Sequence, residues 1–421
     1  GGYGRGDLAP GSDLDLVLLV PAQADPADVT AVADRLWYPI WDLGVRLDHS
    51  VRSPAEARRL AASDLKVVLG LLDARTIAGD DSLTAATRES VLGDWRALAH
   101  RRLGELRSGV LERAERAGDL AHLLEPDLKE SYGGLRDLSV LRAIAASWVT
   151  DAPVASLAPH RELLLDVRDA LHLVTGRATD RLVQQEHDAV AARIGLMEPV
   201  VHSAGDGHDH QGAGDGADAL LRRVGSAGRA VAFACDSTWH RVERLTRRGG
   251  VRGVVLSSSR RITGRRVERA PLAEGVVVQD DEVVLATDAR PDRDPVLVLR
   301  AAAAAAQAGL RLAPHTVERL ARERAPLPTV WPAQARDALV SLLGAGRPAV
   351  AVWEALDQVD LWSDLVPEWS VVRNAPQHNP VHRFTVDRHL VEAAVRAAAH
   401  TRRVERPDLL LVGALLHDIG K

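Results

Sequence analysis

A glycine-rich loop running into an acidic strand limits what the start of this chain can fold into. Gly1-Gly2-Tyr3-Gly4-Arg5-Gly6 is followed by Ser12-Asp13-Leu14-Asp15-Leu16, and the apolar run continues to Val20. Residues two apart in a strand share a face. A buried strand over Leu14–Val20 therefore sends Leu14 and Leu16 into a core and aims Asp13 and Asp15 at one point. Paired carboxylates offer only oxygen ligands, which suit Mg²⁺ and leave it coordination positions for phosphate oxygens. Glycines let backbone N–H groups approach a polyphosphate, and Arg5 adds charge. Two carboxylates bridging metal ions are the core of in-line nucleotidyl transfer. A glycine-rich loop alone reads more simply as a turn with solvated Asp residues. The Asp-x-Asp at the head of an apolar strand favours the chemical reading.

The rest of the composition narrows the partners. At 421 residues, with 46% apolar and 26% charged side chains, the chain is ordinary globular protein of two or three domains. A net charge of −5 and a pI near 6.4 argue against a primary nucleic-acid binder, which must neutralise a row of phosphates. Of 53 basic residues, all but Lys66, Lys129 and Lys421 are arginine, a bias expected from a GC-rich genome. The single cysteine, Cys235, excludes an internal disulfide and fits a reducing compartment. No apolar run approaches the roughly 18–20 residues that span a bilayer, so a cytoplasmic location is expected. The chain starts at Gly1, has Met197 as its one methionine, and stops inside His417-Asp418-Ile419-Gly420-Lys421. It therefore reads as a piece of a longer protein.

Periodicity predicts an α+β chain that is mostly helical. A helix over Pro26–Leu43, a second strand over Val45–Val51 and a helical stretch over Pro54–Leu72 follow the first strand. Residues from Ser82 to Leu196 read as almost wholly helical. His202–Asp218, rich in Gly, Asp and His, reads as a flexible loop before helix resumes over Ala219–Arg247. Its His208-Asp209-His210 has no apolar flank to support a metal site, so it reads as part of a disordered insertion. Strands are expected at Val254–Leu256, Gly275–Gln279 and Glu282–Ala286, the last two forming a hairpin. From Pro295 a final helical region is cut by Pro326, Pro328, Pro332 and Pro348, with Trp353, Trp362 and Trp369 as core packing. The division is residues 1–85, 86–248, 249–375 and 376–421.

Two more segments carry candidate chemistry. Leu124-Glu125-Pro126-Asp127-Leu128-Lys129 leads to Gly133-Gly134-Leu135-Arg136-Asp137, a turn that places Asp137 in the first turn of a helix, where negative charge suits the dipole. Further on, Asn379-Pro380-Val381-His382-Arg383-Phe384-Thr385-Val386-Asp387-Arg388-His389 opens a helix, and 28 residues later an apolar helix delivers His417-Asp418. An imidazole with an adjacent His-Asp pair suits a divalent metal that activates water for phosphoester hydrolysis.

The glycine loop with Ser12-Asp13-Leu14-Asp15 resembles the nucleotidyltransferase superfamily that includes DNA polymerase β. It resembles more closely the PII-protein uridylyltransferase/uridylyl-removing family. Trp41-Asp42, His49-Ser50-Val51-Arg52, Ser63-Asp64-Leu65, Arg75 and Gly79-Asp80 are also similar to that family. So is the Leu124–Leu138 signature, with a looser likeness over Arg168–Arg181 and Gln184–Leu196.

The resemblance implies a polymerase-β-like domain, a helical middle domain and the start of an HD phosphohydrolase domain. It implies nucleotide contacts from Gly1, Gly2, Arg5 and Ser12, with Lys129, Arg136 and Asp137 lining the cleft. A third carboxylate from the neighbouring strand is also implied, Asp48 being the candidate by position, with Asp42 and Asp64 nearby. HD-site ligands would be His389, His417 and Asp418 plus a later Asp, with Mg²⁺ or Mn²⁺ bound; the role of His382 stays open.

The implied activity is transfer of UMP from UTP, using Mg²⁺, to a tyrosine of the PII signalling protein, and hydrolysis of that modification. Glutamine would act through domains outside this chain, and neither nucleic acid nor membrane is an expected partner. ATP in place of UTP, a tRNA nucleotidyltransferase, an adenylyltransferase of glutamine synthetase and a nitrogen-sensing scaffold are the alternatives. The acidic charge, the Gly133–Leu138 signature, the HD-like site and the intact Asp13 and Asp15 weigh against the last three.

Overall fold

The computed structural model describes residues 2–196, 212–249, 269–377 and 384–420. The chain separates into two compact units, Gly1–Val254 and Val255–Lys421.

In the first unit a four-residue helix α1 (Gly2–Arg5) leads to strand β1 (Leu14–Leu19), helix α2 (Pro26–Asp42) and strand β2 (Leu47–Arg52). β1 and β2 pair in parallel, with Leu14 opposite Leu47 and Asp15 opposite Asp48. Parallel neighbours need a crossover, and α2 supplies it. Its start is set by Asp25, which accepts a hydrogen bond from the Ala27 N–H, and by Pro26 in the first turn. Both strands are shorter than the apolar pattern predicts. β1 is also half-covered rather than buried, because Asp15 and Val17 occupy an exposed face.

The predicted helical stretch Pro54–Leu72 is two helices, α3 (Pro54–Ser63) and α4 (Leu65–Leu72). Between them Asp64 is extended, at φ −121° and ψ 119°, and its carboxylate caps the N–H groups of Lys66 and Val67. Ser53 and Glu56 form a reciprocal capping box on α3.

Helices α5 (Asp81–Ala97), α6 (Ala99–Ala117), α7 (Leu135–Ala146), α8 (Ala158–Thr175), α9 (His187–Arg193) and α10 (Gly212–Gly249) follow. Leu103, Leu141, Ile144, Leu164, Leu171 and Leu182 are fully buried among them. Each contributes roughly 1.5–3 kcal/mol of transfer free energy. The helical pattern breaks at residues 118–134, where Gly118 has φ 71° and the chain turns back so that Tyr132 N–H donates to the Gly118 carbonyl at 2.8 Å. Of the predicted loop His202–Asp218, residues 202–211 lie outside the described residues. Residues 212–218 are helical, as the first turns of α10. Each residue added to a packed helix gains a hydrogen bond, which carries the local glycines.

The second unit contains a four-stranded sheet in the order β3 (Ala270–Ala273), β4 (Val276–Gln279), β5 (Glu282–Leu285), β6 (Arg311–Leu312). The predicted hairpin is β4–β5, and its turn residues Asp280 and Asp281 both have positive φ, 55° and 63°. That is the turn whose twist matches a two-residue hairpin. The expected strand Val254–Leu256 lies outside the described residues.

Helices α11 (Leu297–Gln307), α12 (Pro314–Glu323), α13 (Ala333–Gly344), α14 (Arg347–Asp357), α15 (Leu361–Leu365) and α16 (Trp369–Val372) build the core of this unit. Trp353 and Trp362 stack at 3.6 Å between ring centroids with Trp369 edge-on at 5.1 Å, all three buried. α17 (Val386–Ala397) and α18 (Pro407–Leu416) pack together at the end of the unit. Among the described residues no helix is long and apolar enough to cross a membrane.

Candidate active sites

The parallel register of the first sheet assembles its acidic face. Asp15 and Asp48 are direct neighbours across β1 and β2, and Asp13 lies two residues before Asp15. Adjacent strands are about 4.8 Å apart, so these carboxylates feel one another. The Asp15 carboxyl is pushed above its ordinary range, first by partial burial, then by the charges of Asp13 and Asp48, while Lys129 pulls it down. The other two candidates for a third carboxylate sit elsewhere: Asp42 ends α2 and Asp64 caps α4. On the opposite face His49 packs against Trp37 and Trp41, each at 5.1 Å between ring centroids.

The loop before β1 is braced by its own charges. Arg5 donates to Asp7 at 2.5 Å and to Asp73 at 3.0 Å, so its guanidinium is held by two ion pairs. Gly4 is required there, because a Cβ would sit 1.8 Å from the Asp73 carbonyl oxygen. The Ser12 hydroxyl accepts from the Ala9 N–H at 3.0 Å. Gly2 opens α1, and Gly1 lies outside the described residues.

The helical segment reaches this face through Lys129, whose ammonium lies 3.6 Å from Asp180 and close enough to act on Asp15. An Asx turn fixes it, the Asp127 carboxylate accepting from the N–H groups of Lys129 and Glu130. Arg136 pairs with Glu130 at 2.6 Å.

Asp137, expected in the cleft, is instead fully buried. It pairs with Arg113 and accepts from the Gly133 N–H at 2.7 Å, so it holds the Gly133-Gly134 turn. Burial pushes its carboxyl up to about 6 against the pull of Arg113 and that N–H. Sequence reasoning missed Arg161, Arg168 and Asp180, which also hold the loop. Arg168 and Asp180 fall in the Arg168–Arg181 stretch that resembles the family, but in a helix with the pattern of an ordinary amphipathic face nothing marked their hold on the loop.

In the second unit α17 and α18 bring the predicted metal ligands together. One ligand atom from each of His389, His417 and Asp418 lies within 4.8 Å of the others. The two Nε2 atoms are 3.3 Å apart, and His417 Nε2 is 3.7 Å from Asp418. His417 Nδ1 lies 2.9 Å from the Ala414 carbonyl, which makes Nδ1 the protonated nitrogen and leaves the Nε2 lone pair for a metal. His382 lies outside the described residues.

The GlnD PII-uridylyltransferase family model matches residues 101–146 and 138–211. The whole chain is 59% identical to 48% of a Streptomyces coelicolor protein, 44% to 50% of one from Mycobacterium tuberculosis, and 35% to 56% of one from Corynebacterium glutamicum. Each of those proteins carries the name bifunctional uridylyltransferase/uridylyl-removing enzyme. The chain thus spans about half the length of the curated relatives it matches. No solved structure matches it.

Proposed function

Because the chain is a homologue of the bifunctional uridylyltransferase/uridylyl-removing enzymes along its whole length, we propose that it carries both of their chemistries, one in each unit. The first unit transfers UMP from UTP to a tyrosine hydroxyl of the PII signalling protein. The phenol oxygen bonds to the α-phosphorus and pyrophosphate leaves. The second unit hydrolyses the tyrosyl phosphodiester, returning tyrosine and UMP. The observation that carries this reading is the cross-strand pairing of Asp15 with Asp48 beside Asp13.

Both donor sets fit a divalent ion. Asp15, its proton affinity raised by burial and by the charges of Asp13 and Asp48, makes with those two carboxylates an oxygen-only site for Mg²⁺. Two imidazoles and a carboxylate suit a transition ion such as Mn²⁺ better than Mg²⁺. Bound there, the ions supply positive charge at the displaced and attacking oxygens. Asp13, Asp15 and Asp48 would hold the ion in the first unit, and Lys129 adds positive charge close to Asp15. Positioning of the nucleotide by Gly1, Gly2, Arg5, Ser12 and Arg136 supplies much of the remaining rate. In the second unit His389, His417 and Asp418 would hold the ion, which would supply an activated water for hydrolysis.

We assign residues 1–85 to a polymerase-β-like domain, 86–248 to a helical domain, 249–375 to the β element and connecting helices, and 376–421 to the N-terminal part of an HD domain. The enzyme works in the cytoplasm and responds to glutamine, with no nucleic-acid or membrane partner. The test is incubation of the intact protein with PII and either UTP or ATP, followed by intact mass. A UMP adduct that disappears in the Asp13→Asn/Asp15→Asn variant supports the proposal. An AMP adduct replaces the nucleotide, and no adduct with either removes the transferase reading.

A further inference from the structure

The loop that delivers Asp13 to β1 is gripped from outside its own strand–helix element. His172 and Arg168, one turn apart on α8, are 3% and 6% exposed. The Gly11 N–H donates to His172 Nδ1 at 3.1 Å, so that nitrogen is unprotonated, and Nε2 lies 3.4 Å from Asp180. Arg168 donates to Asp180 at 2.6 Å, to the Asp7 carbonyl at 3.0 Å and to the Ser12 hydroxyl at 3.4 Å. The fit is close, since a Cβ on Gly11 would meet the Ala178 backbone at 3.1 Å. The same Asp180 carboxylate lies 3.6 Å from Lys129, and its backbone carbonyl accepts from the Leu128 N–H at 2.8 Å. One carboxylate therefore ties together the loop carrying Asp13 and the lysine whose charge reaches Asp15.

We infer that His172 and Arg168, joined through Asp180, are positioning residues of the transferase site, setting Asp13 and Lys129 in register with Asp15 and Asp48. This rests on the transferase reading above. None of the three touches the acidic face, so they act through the Gly11–Ser12 turn and through Lys129. A buried apolar residue at position 172 would fill the space but leave the Gly11 N–H without its acceptor. An Asn there keeps an acceptor near the place of Nδ1. Arg168→Lys keeps a cation beside Asp180 but loses the planar fork that reaches Asp7 and Ser12 together.

The experiment compares His172→Phe, His172→Asn and Arg168→Lys with wild type in the intact protein. It reads kcat and KM for UTP, the Mg²⁺ concentration for half-maximal transfer, hydrolysis of uridylylated PII, and the melting temperature. A displaced metal ligand costs about tenfold or more in rate. His172→Phe and Arg168→Lys should lower the transfer kcat by that amount and raise the Mg²⁺ requirement. KM for UTP and hydrolysis should stay near wild type, and His172→Asn should restore most of the rate. Transfer unchanged in His172→Phe overturns the inference. So does parallel loss of transfer, hydrolysis and melting transition in both non-rescuing variants, which is the signature of a purely structural role. Absence of transfer in wild type is the separate result that removes the underlying transferase reading and this inference with it.

Discussion

Asp180 shows how a single side chain can be illegible in sequence and central in structure. Its carboxyl meets Arg168 and His172 from α8 and Lys129 from the turn before α7. Burial would raise its proton affinity, but the Arg168 hydrogen bond and charge, with Lys129 and His172, outweigh burial and hold it below the ordinary value of 3.8. The unfolded chain therefore binds this proton more readily than the folded one. The stabilisation is complete above that ordinary value and is lost as pH falls through the lower folded one. The melting-temperature gap between wild type and Asp180→Asn should be wide at about pH 7 and close below about pH 4. A gap that stays constant or widens in acid contradicts this.

Strand alternation predicts one face for Asp13 and Asp15; β1 begins only at Leu14, and it is the charge of Asp13 acting on Asp15 that marks the two as neighbours. Of the three candidates for a third carboxylate, Asp48 is the one that strand register sets opposite Asp15. Asp137 and Arg136 are adjacent in a turn that sequence presents as one charged motif. Packing of α7 nonetheless buries the first in a pair with Arg113 and leaves the second with Glu130 near the surface.

Elements follow local rules where caps and turns decide them. The capping box at Ser53 and the proline at the start of α2 set helix starts that the sequence shows directly. The break at Asp64 was missed because Ser63-Asp64 sits inside a continuous apolar pattern, and only the extended backbone of Asp64 reveals its capping role. Strand β6 is two residues long and pairs with β5 across a helix, so no periodicity marks it. The first turns of α10 went the other way, glycine content pointing to a loop where a long helix continues. In the β4–β5 hairpin Asp280 and Asp281 occupy left-handed conformations that Asn and Gly adopt at lower cost. Replacing them with Asn-Gly should raise stability by roughly 0.5–1 kcal/mol. A chemical-denaturation midpoint that stays put or falls would show that this turn is not under such strain.

At the scale of the molecule, two compact units carry two donor sets of different chemistry. One is all carboxylate on an open sheet face; the other is two imidazoles and a carboxylate at the junction of two helices. The candidate ligands of the second site were readable as His, then His-Asp at the end of an apolar helix. Its convergence required α17 and α18 to pack, which no spacing alone dictates. The proposed division gives each unit its own set of candidate ligands. The direct test is to cross the two lesions. Asp13→Asn/Asp15→Asn and His389→Ala/His417→Ala variants of the intact protein are each assayed for uridylylation of PII and for its reversal. The first should lose transfer by at least about 10³-fold and keep hydrolysis, and the second should do the reverse. If either variant lost both activities while remaining folded, or kept both, the assignment of one chemistry to each unit would be wrong.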